Sequence, residues 1–255
     1  RECSFCFLIY EPGEYLVMTD TEYAVVDIGS NSLRLMQGIF KKGQWRFYPK
    51  RLATTRLAKG LNESGHLSPE GIVNSFAVME EWNRDLQGIP VCAVATSAVR
   101  EARDGQAFLA EVRWRFGWHC RIASGAEEGA LSFCGAVSTI PAGTVVAVLD
   151  IGGGSTEVAL GKDGHVTWSH SYPLGAVRLT AAEQMGIREL KEVRKRCDET
   201  WLRQPVKPEK LIGVGGTLTS LAAIDARMDV YDPERVDGYV LSKTDLAGCL
   251  HRLAS

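Results

Sequence analysis

No apolar run in this 255-residue chain reaches the roughly 18 to 20 consecutive residues that a membrane-crossing helix needs. The first ten residues lack a small-residue cleavage site after their short apolar patch, so export is not expected. Neither sign of charge is in excess. Against 31 Asp and Glu stand 29 Lys and Arg, a formal charge of −2, and a surface acting as a whole as an electrode for nucleic acid or membrane is excluded. Five histidines (His66, His119, His165, His170, His251) fall at no metal-ligand spacing, and no Gly-x-Ser-x-Gly elbow occurs. Neither a P-loop nor a complete Gly-x-Gly-x-x-Gly is found, which argues against P-loop and Rossmann readings.

Cysteine is present in an odd number, seven. Most lie inside apolar runs such as Val91-Cys92-Ala93-Val94, the pattern of buried free thiols in a reducing compartment, so a cytoplasmic location is expected. Cys3 and Cys6 have metal-ligand spacing, but no second Cys or His pair follows within finger distance. Residues 1–22 are assigned no role. With 45% hydrophobic and 24% charged residues, the chain has the makeup of a globular protein forming one large domain or two modest ones.

The informative feature is internal repetition. Residues Ala24 to Gly38 lie without gaps over Ala147 to Gly161, at an offset of 150 − 27 = 123, with 7 of 15 positions identical. Trp45 and Trp168 keep that offset. Each copy reads as a buried strand, a Gly/Ser/Asn turn, a second strand and a third after a Lys42-Gly43 or Asp163-Gly164 hairpin signal. Helical periodicity follows, over Pro69 to Leu86 behind a Ser68 N-cap in the first copy and over Ala176 to about Leu202 in the second. Strands are then expected at Val91 to Ala95, His119 to Ala123 and Leu211 to Val214, with helices near Gln106 to Arg115, Glu127 to Val137 and Thr217 to Ala226. The order βββαβαβα followed by βββαβα predicts two related α/β domains, 23–142 and 143–255. The second ends on a helical stretch with no closing strand and is expected to be truncated.

Asp27 and Asp150 each end a strand that runs into a tight turn, Gly29-Ser30-Asn31-Ser32 or Gly152-Gly153-Gly154-Ser155-Thr156. Small residues let a ligand approach the backbone, and successive N–H groups there form a nest for phosphate oxygens. An acidic residue just before such a turn is placed to hold Mg²⁺ against those phosphates. Two ordinary hairpins would carry the same glycines, but two gapless copies with the same Asp point to a ligand cleft. A third turn, Gly213-Val214-Gly215-Gly216-Thr217, opens a helix and offers another anion site. Thr96-Ser97-Ala98-Val99-Arg100 puts two hydroxyls and an arginine at the carboxyl end of a strand, where α/β sheets hold ligands, although a helix cap with solvated arginines fits that spacing too. Glu127 and Glu128 open a helix, where the dipole alone favours acids; only one of them can face a cleft, as a general base on water. Lys50, Arg51, Arg56 and Lys59 are placed either to guide a polyanion or to form a solvated strand edge.

These segments, together with Ser124-Gly125-Ala126-Glu127-Glu128, resemble in order and spacing the motif series of the exopolyphosphatase and guanosine pentaphosphate phosphohydrolase (Ppx/GppA) phosphatase family. The resemblance covers residues 23 to about 242. It implies the duplicated actin-like ATPase fold, shared with ribonuclease H, sugar kinases and chaperones, with the active site between the domains. It further implies Mg²⁺-dependent, or Mn²⁺-dependent, release of terminal phosphate from inorganic polyphosphate or of the 5′ γ-phosphate from guanosine pentaphosphate (pppGpp). By that likeness Glu128 is the catalytic base, with Glu127 beside it and Asp150 helping. Asp27, Asp150 and Glu128 hold the metal. Ser30, Asn31, Ser32, Arg34, Thr96, Arg100, Gly152, Gly153, Gly154, Ser155, Gly215, Gly216 and Thr217 contact phosphate. The partners expected are one of those two substrates, with no nucleic acid or membrane, and a homodimer is the assembly this reading admits. Family members continue past a segment like Val236 to Ser242 into further elements, and the longer ones carry polymer-binding domains. The alternatives are a kinase or ATPase of the same fold, for which no adenine handle is present, and a non-catalytic phosphate or alarmone sensor.

Overall fold

The computed structural model describes residues 21–42, 44–138, 140–184, 195, 198 and 207–254. Cys3, Cys6, Gly43, Cys197 and most of the helix expected beyond Gln184 lie outside the described residues.

The first unit opens with β1 (Glu22–Ile28), β2 (Ser32–Lys41) and β3 (Gln44–Phe47), an antiparallel meander, and adds β4 (Arg51–Thr54) beside the first half of β2. Of the basic stretch, Lys50 precedes β4 and Arg51 opens it, paired with Glu81 and Asp85 rather than left free. After α1 (Leu61–Ser64) comes α2 (Pro69–Leu86), started as expected by Ser68, whose hydroxyl accepts from the Gly71 N–H, with Pro69 in the first turn. It buries Met79, Trp82 and Leu86 on the sheet. β5 (Val91–Ala95) runs parallel to β1, α3 (Ser97–Glu101) and α4 (Gly105–Phe116) follow, and β6 (His119–Ile122) joins β5. The sheet order is β3-β2-β1-β5-β6, with β4 on β2. The inner strand β5 is buried at every position, as a strand paired on both sides and covered on both faces must be.

The second unit follows α5 (Gly125–Ala136) and repeats the plan: β7 (Val145–Ile151), β8 (Thr156–Lys162), β9 (His165–Tyr172), α6 (Ala176–Gln184), then β10 (Lys210–Val214) parallel to β7. Its sheet order is β10-β7-β8-β9. Helices α7 (Gly216–Asp225), α8 (Pro233–Val236) and α9 (Lys243–Ala254) complete it. This is the duplicated actin-like architecture. Among the described residues no helix is long and apolar enough to cross a membrane.

Although α5 follows the first sheet in sequence, its Phe133 is fully buried with Val146, Val148 and Ala159 of the second sheet. Two glycines and one large apolar residue form the face that meets this sheet. Gly125, Gly129 and Phe133 recur every four positions on one helix face, and a Cβ at Gly125 would come within 2.5 Å of the Ser171 Cβ on β9. Helix α5 thus packs on the second sheet, while Glu128 in its first turn reaches Arg100 of the first unit.

Candidate active site

Both duplicated turns close with the same bond. The Gly29 N–H donates to the Ser32 carbonyl at 3.1 Å, and the Gly152 N–H to the Ser155 carbonyl at 3.0 Å. The segments behind brace them: the Asn31 carbonyl accepts from Thr55 and Arg56 after β4, and the Gly153 carbonyl from Val177 and Arg178 in the first turn of α6. The turns also face each other across the domain boundary. A Cβ on Gly154 would collide with the hydroxyls of Ser97 and Ser30, and one on Gly153 would stand 3.3 Å from the Ser30 Cβ and 3.4 Å from the Asn31 Cβ. Ser30, Ser32, Ser97 and Ser155 are buried around this junction while Asn31 is exposed.

Asp27 and Asp150 end the paired strands β1 and β7, and β-ladder register gives each a partner on the same sheet face: Arg34 for Asp27, Glu157 for Asp150. Arg34 donates to Asp27 at 2.9 Å. Burial pushes the Asp27 carboxyl up, Arg34 pulls it down, and Asp150 across the cleft pushes it up again. The Ser132 hydroxyl, one turn beyond Glu128 on α5, donates to Asp150 at 2.5 Å. The third turn reaches the same group, since Gly215, at φ 88°, leaves the space against the Asp150 carboxylate that a Cβ would occupy. Gly216 and Thr217 open α7 beside it.

Only one of the two acids that open α5 faces the cleft. Glu127 closes a capping box with Ser124, accepting from its N–H at 2.8 Å, and is also bound by Arg121; these contacts hold its carboxyl low. The expected catalytic partner is thus occupied as a helix cap. Glu128 is 17% exposed and accepts from Arg100 at 3.1 Å. Burial and the repulsion of Glu157 raise it to about 8, against the pull of Arg100. Arg100 itself is held by the Ala123 carbonyl at 2.7 Å, so it is not a solvated arginine. Thr96 lies at the end of β5, its N–H on the Ile28 carbonyl.

Glu157 and Ser132 are candidate site residues that the motif reading passed over. Glu157 is 2% exposed, receives the Ser171 hydroxyl at 2.6 Å and that of Ser155, and is raised by burial and by Asp150. A glutamate inside the apolar strand Thr156-Glu157-Val158-Ala159-Leu160, and a serine four residues after Glu128, are the sequence signals for them.

Four carboxylates, Asp27, Glu128, Asp150 and Glu157, therefore interact around the junction of the turns, against the cations Arg34 and Arg100. A buried acidic excess facing phosphate turns calls for a further cation, and an all-oxygen set suits Mg²⁺ or Mn²⁺. The residues fit such an ion in part. Among the described residues no three acidic, thiol or imidazole side chains converge into a ready ligand set, and Asp27 and Glu128 are each paired with an arginine. A cation here would draw on one or two carboxylates and complete its shell with phosphate and water oxygens, which is the habit of Mg²⁺.

The model of the Ppx/GppA phosphatase family matches residues 39–255. The chain belongs to this family. Exopolyphosphatase 2 of Mycobacterium tuberculosis is 30% identical over 259 aligned positions, covering 92% of this chain and 81% of that protein. Among solved structures, the Aquifex aeolicus Ppx/GppA enzyme shares 32% identity at TM-score 0.67, over 84% of this chain and 74% of that one. An exopolyphosphatase-like protein shares 27% at TM-score 0.79, over 91% and 78%.

Proposed function

We propose that this chain hydrolyses a terminal phosphoanhydride bond, releasing phosphate from inorganic polyphosphate or from the 5′ end of pppGpp, with Glu128 as general base. The observation that carries the reading is a buried glutamate held by an arginine beside two facing glycine- and serine-rich turns. Its relatives' names, exopolyphosphatase among them, support the substrate class.

Phosphoryl transfer asks mainly for positioning and charge neutralisation. The turns at 29–32 and 152–155 supply backbone amides and hydroxyls for the phosphate oxygens. Arg100 and Arg34 supply positive charge. Glu128 accepts a proton from the attacking water as that oxygen bonds to the terminal phosphorus, and the remaining polyphosphate or nucleotide leaves with the bridging oxygen. Asp150, held by Ser132, and Glu157 are the carboxylates best placed to hold Mg²⁺, which when bound neutralises phosphate charge. No covalent nucleophile is required. The kinase alternative lacks a supporting observation, and the sensor alternative would leave Glu128 without a task.

The test is Mg²⁺-dependent phosphate release from long-chain polyphosphate and from pppGpp, with Glu128→Ala as control. A fall of about 10² or more, the size of a lost general base, supports the reading and the better substrate names the activity. Binding of both without release overturns it in favour of the sensor.

A further inference from the structure

Arg178, on α6, takes no part in the chemistry above, yet it makes the most far-reaching contacts at the cleft. Its backbone N–H donates to the Gly153 carbonyl at 3.1 Å and its Nε to the Gly154 carbonyl at 2.8 Å, so it grips the second phosphate turn twice. The other end of the guanidinium crosses to the first domain. Nη2 donates to Glu101 at 2.6 Å and Nη1 to the Asn62 side chain at 3.2 Å. The second carboxylate oxygen of Glu101 accepts from the Ser97 hydroxyl at 3.1 Å. Glu101 closes α3, the short helix that also carries Arg100 and through it touches Glu128.

We propose that Arg178 is a positioning residue that clamps the second phosphate turn to helix α3 through Glu101, holding the cleft at its working width before substrate arrives. The planar fork of arginine suits this task, because one group can serve a carbonyl and a carboxylate at once with fixed spacing. An isolated surface ion pair contributes little. Here the pair joins two bodies whose separation sets the distance between the phosphate turns, so its loss falls on binding: substrate must then close the cleft itself, and affinity drops by the fraction of closed molecules.

The kinetic arm of this inference rests on the phosphohydrolase reading, whereas the exchange arm does not. Hydrogen exchange by mass spectrometry on the ligand-free chain is compared for wild type, Glu101→Gln, Arg178→Gln and the double variant, followed by KM and kcat for phosphate release. Each single variant is expected to speed exchange in both 97–103 and 152–178 and to raise KM about tenfold, with kcat within about threefold, as expected when pre-organisation alone is lost. The double variant is expected to be no worse than the worse single one, because both remove one interaction. Faster exchange confined to the mutated segment, additive effects, or a KM rise in Arg178→Gln but not in Glu101→Gln would overturn the clamp; the last would make Arg178 a direct phosphate ligand. Should Arg178→Gln fail to fold, Glu101→Gln alone decides. If wild type releases no phosphate yet the two segments loosen together, the clamp stands and the proposed reaction fails.

Discussion

Glu157 stands opposite Asp150 in the β7–β8 ladder where Arg34 stands opposite Asp27 in the β1–β2 ladder. The duplicated strands have thus kept one acid and reversed the charge of its cross-strand partner. In the first domain the pair neutralises itself at 2.9 Å. In the second, two carboxylates share a face, and such like-charged neighbours are destabilising unless a cation lies between them. We propose from this asymmetry that a metal ion, when bound, sits at the second turn. Glu157→Gln is expected to raise the Mg²⁺ concentration for half-maximal activity by about 10- to 100-fold, the scale on which partners of metal sites act. An unchanged Mg²⁺ requirement in a titration would move the ion elsewhere.

As the proposed base, Glu128 trades stability for chemistry. Below the usual carboxylate pKa both folded and unfolded chains hold its proton; above it the unfolded chain loses the proton while folded Glu128 keeps it up to about 8. Folding is therefore favoured by this group at low pH, and the contribution is lost as pH rises through 8. Glu128→Gln is expected to lower kcat by 10² or more and to raise Tm at pH 8, relative to wild type, by about 2 to 4 °C per kcal/mol recovered. Thermal melts at pH 5 and pH 8 check this, the gain being larger at pH 8.

A base must be ionised to act, so kcat/KM is expected to rise with pH along a limb set by Glu128. Arg100 favours the ionised form. Replacing it by Gln removes that pull and moves the limb to higher pH, in addition to any loss of phosphate affinity. A pH profile of Arg100→Gln whose limb stays in place would separate Arg100 from the base.

The approach of α5 to the second sheet depends on missing side chains. Gly125→Ala is expected to destabilise the fold by about 1 to 3 kcal/mol, because its Cβ meets Ser171 at 2.5 Å. Gly135 on the same helix has open space around the added Cβ, so Gly135→Ala is expected to stabilise by about 0.5 to 1 kcal/mol. Urea unfolding of both variants compares them directly.

Much of this arrangement was legible in residue order. The gapless overlap of 24–38 on 147–161 foretold two sheets with matching turns, and Ser68-Pro69 marked the start of α2 to the residue, because caps and tight turns are local devices set by a few neighbouring side chains. Local signals also put two acids at the start of α5. They could not choose between them, because the capping box and the cleft draw on neighbouring positions of one helical turn, and which one meets Arg100 depends on how the helix is rotated against both sheets. The side to which α5 belongs, the burial of Glu157 beside Asp150, and the reach of Arg178 to Glu101 were decided only by packing. Arg178 and Glu101 stand 77 positions apart in sequence, and side chains that far apart are brought together by the packing of whole units rather than by any neighbour in the chain.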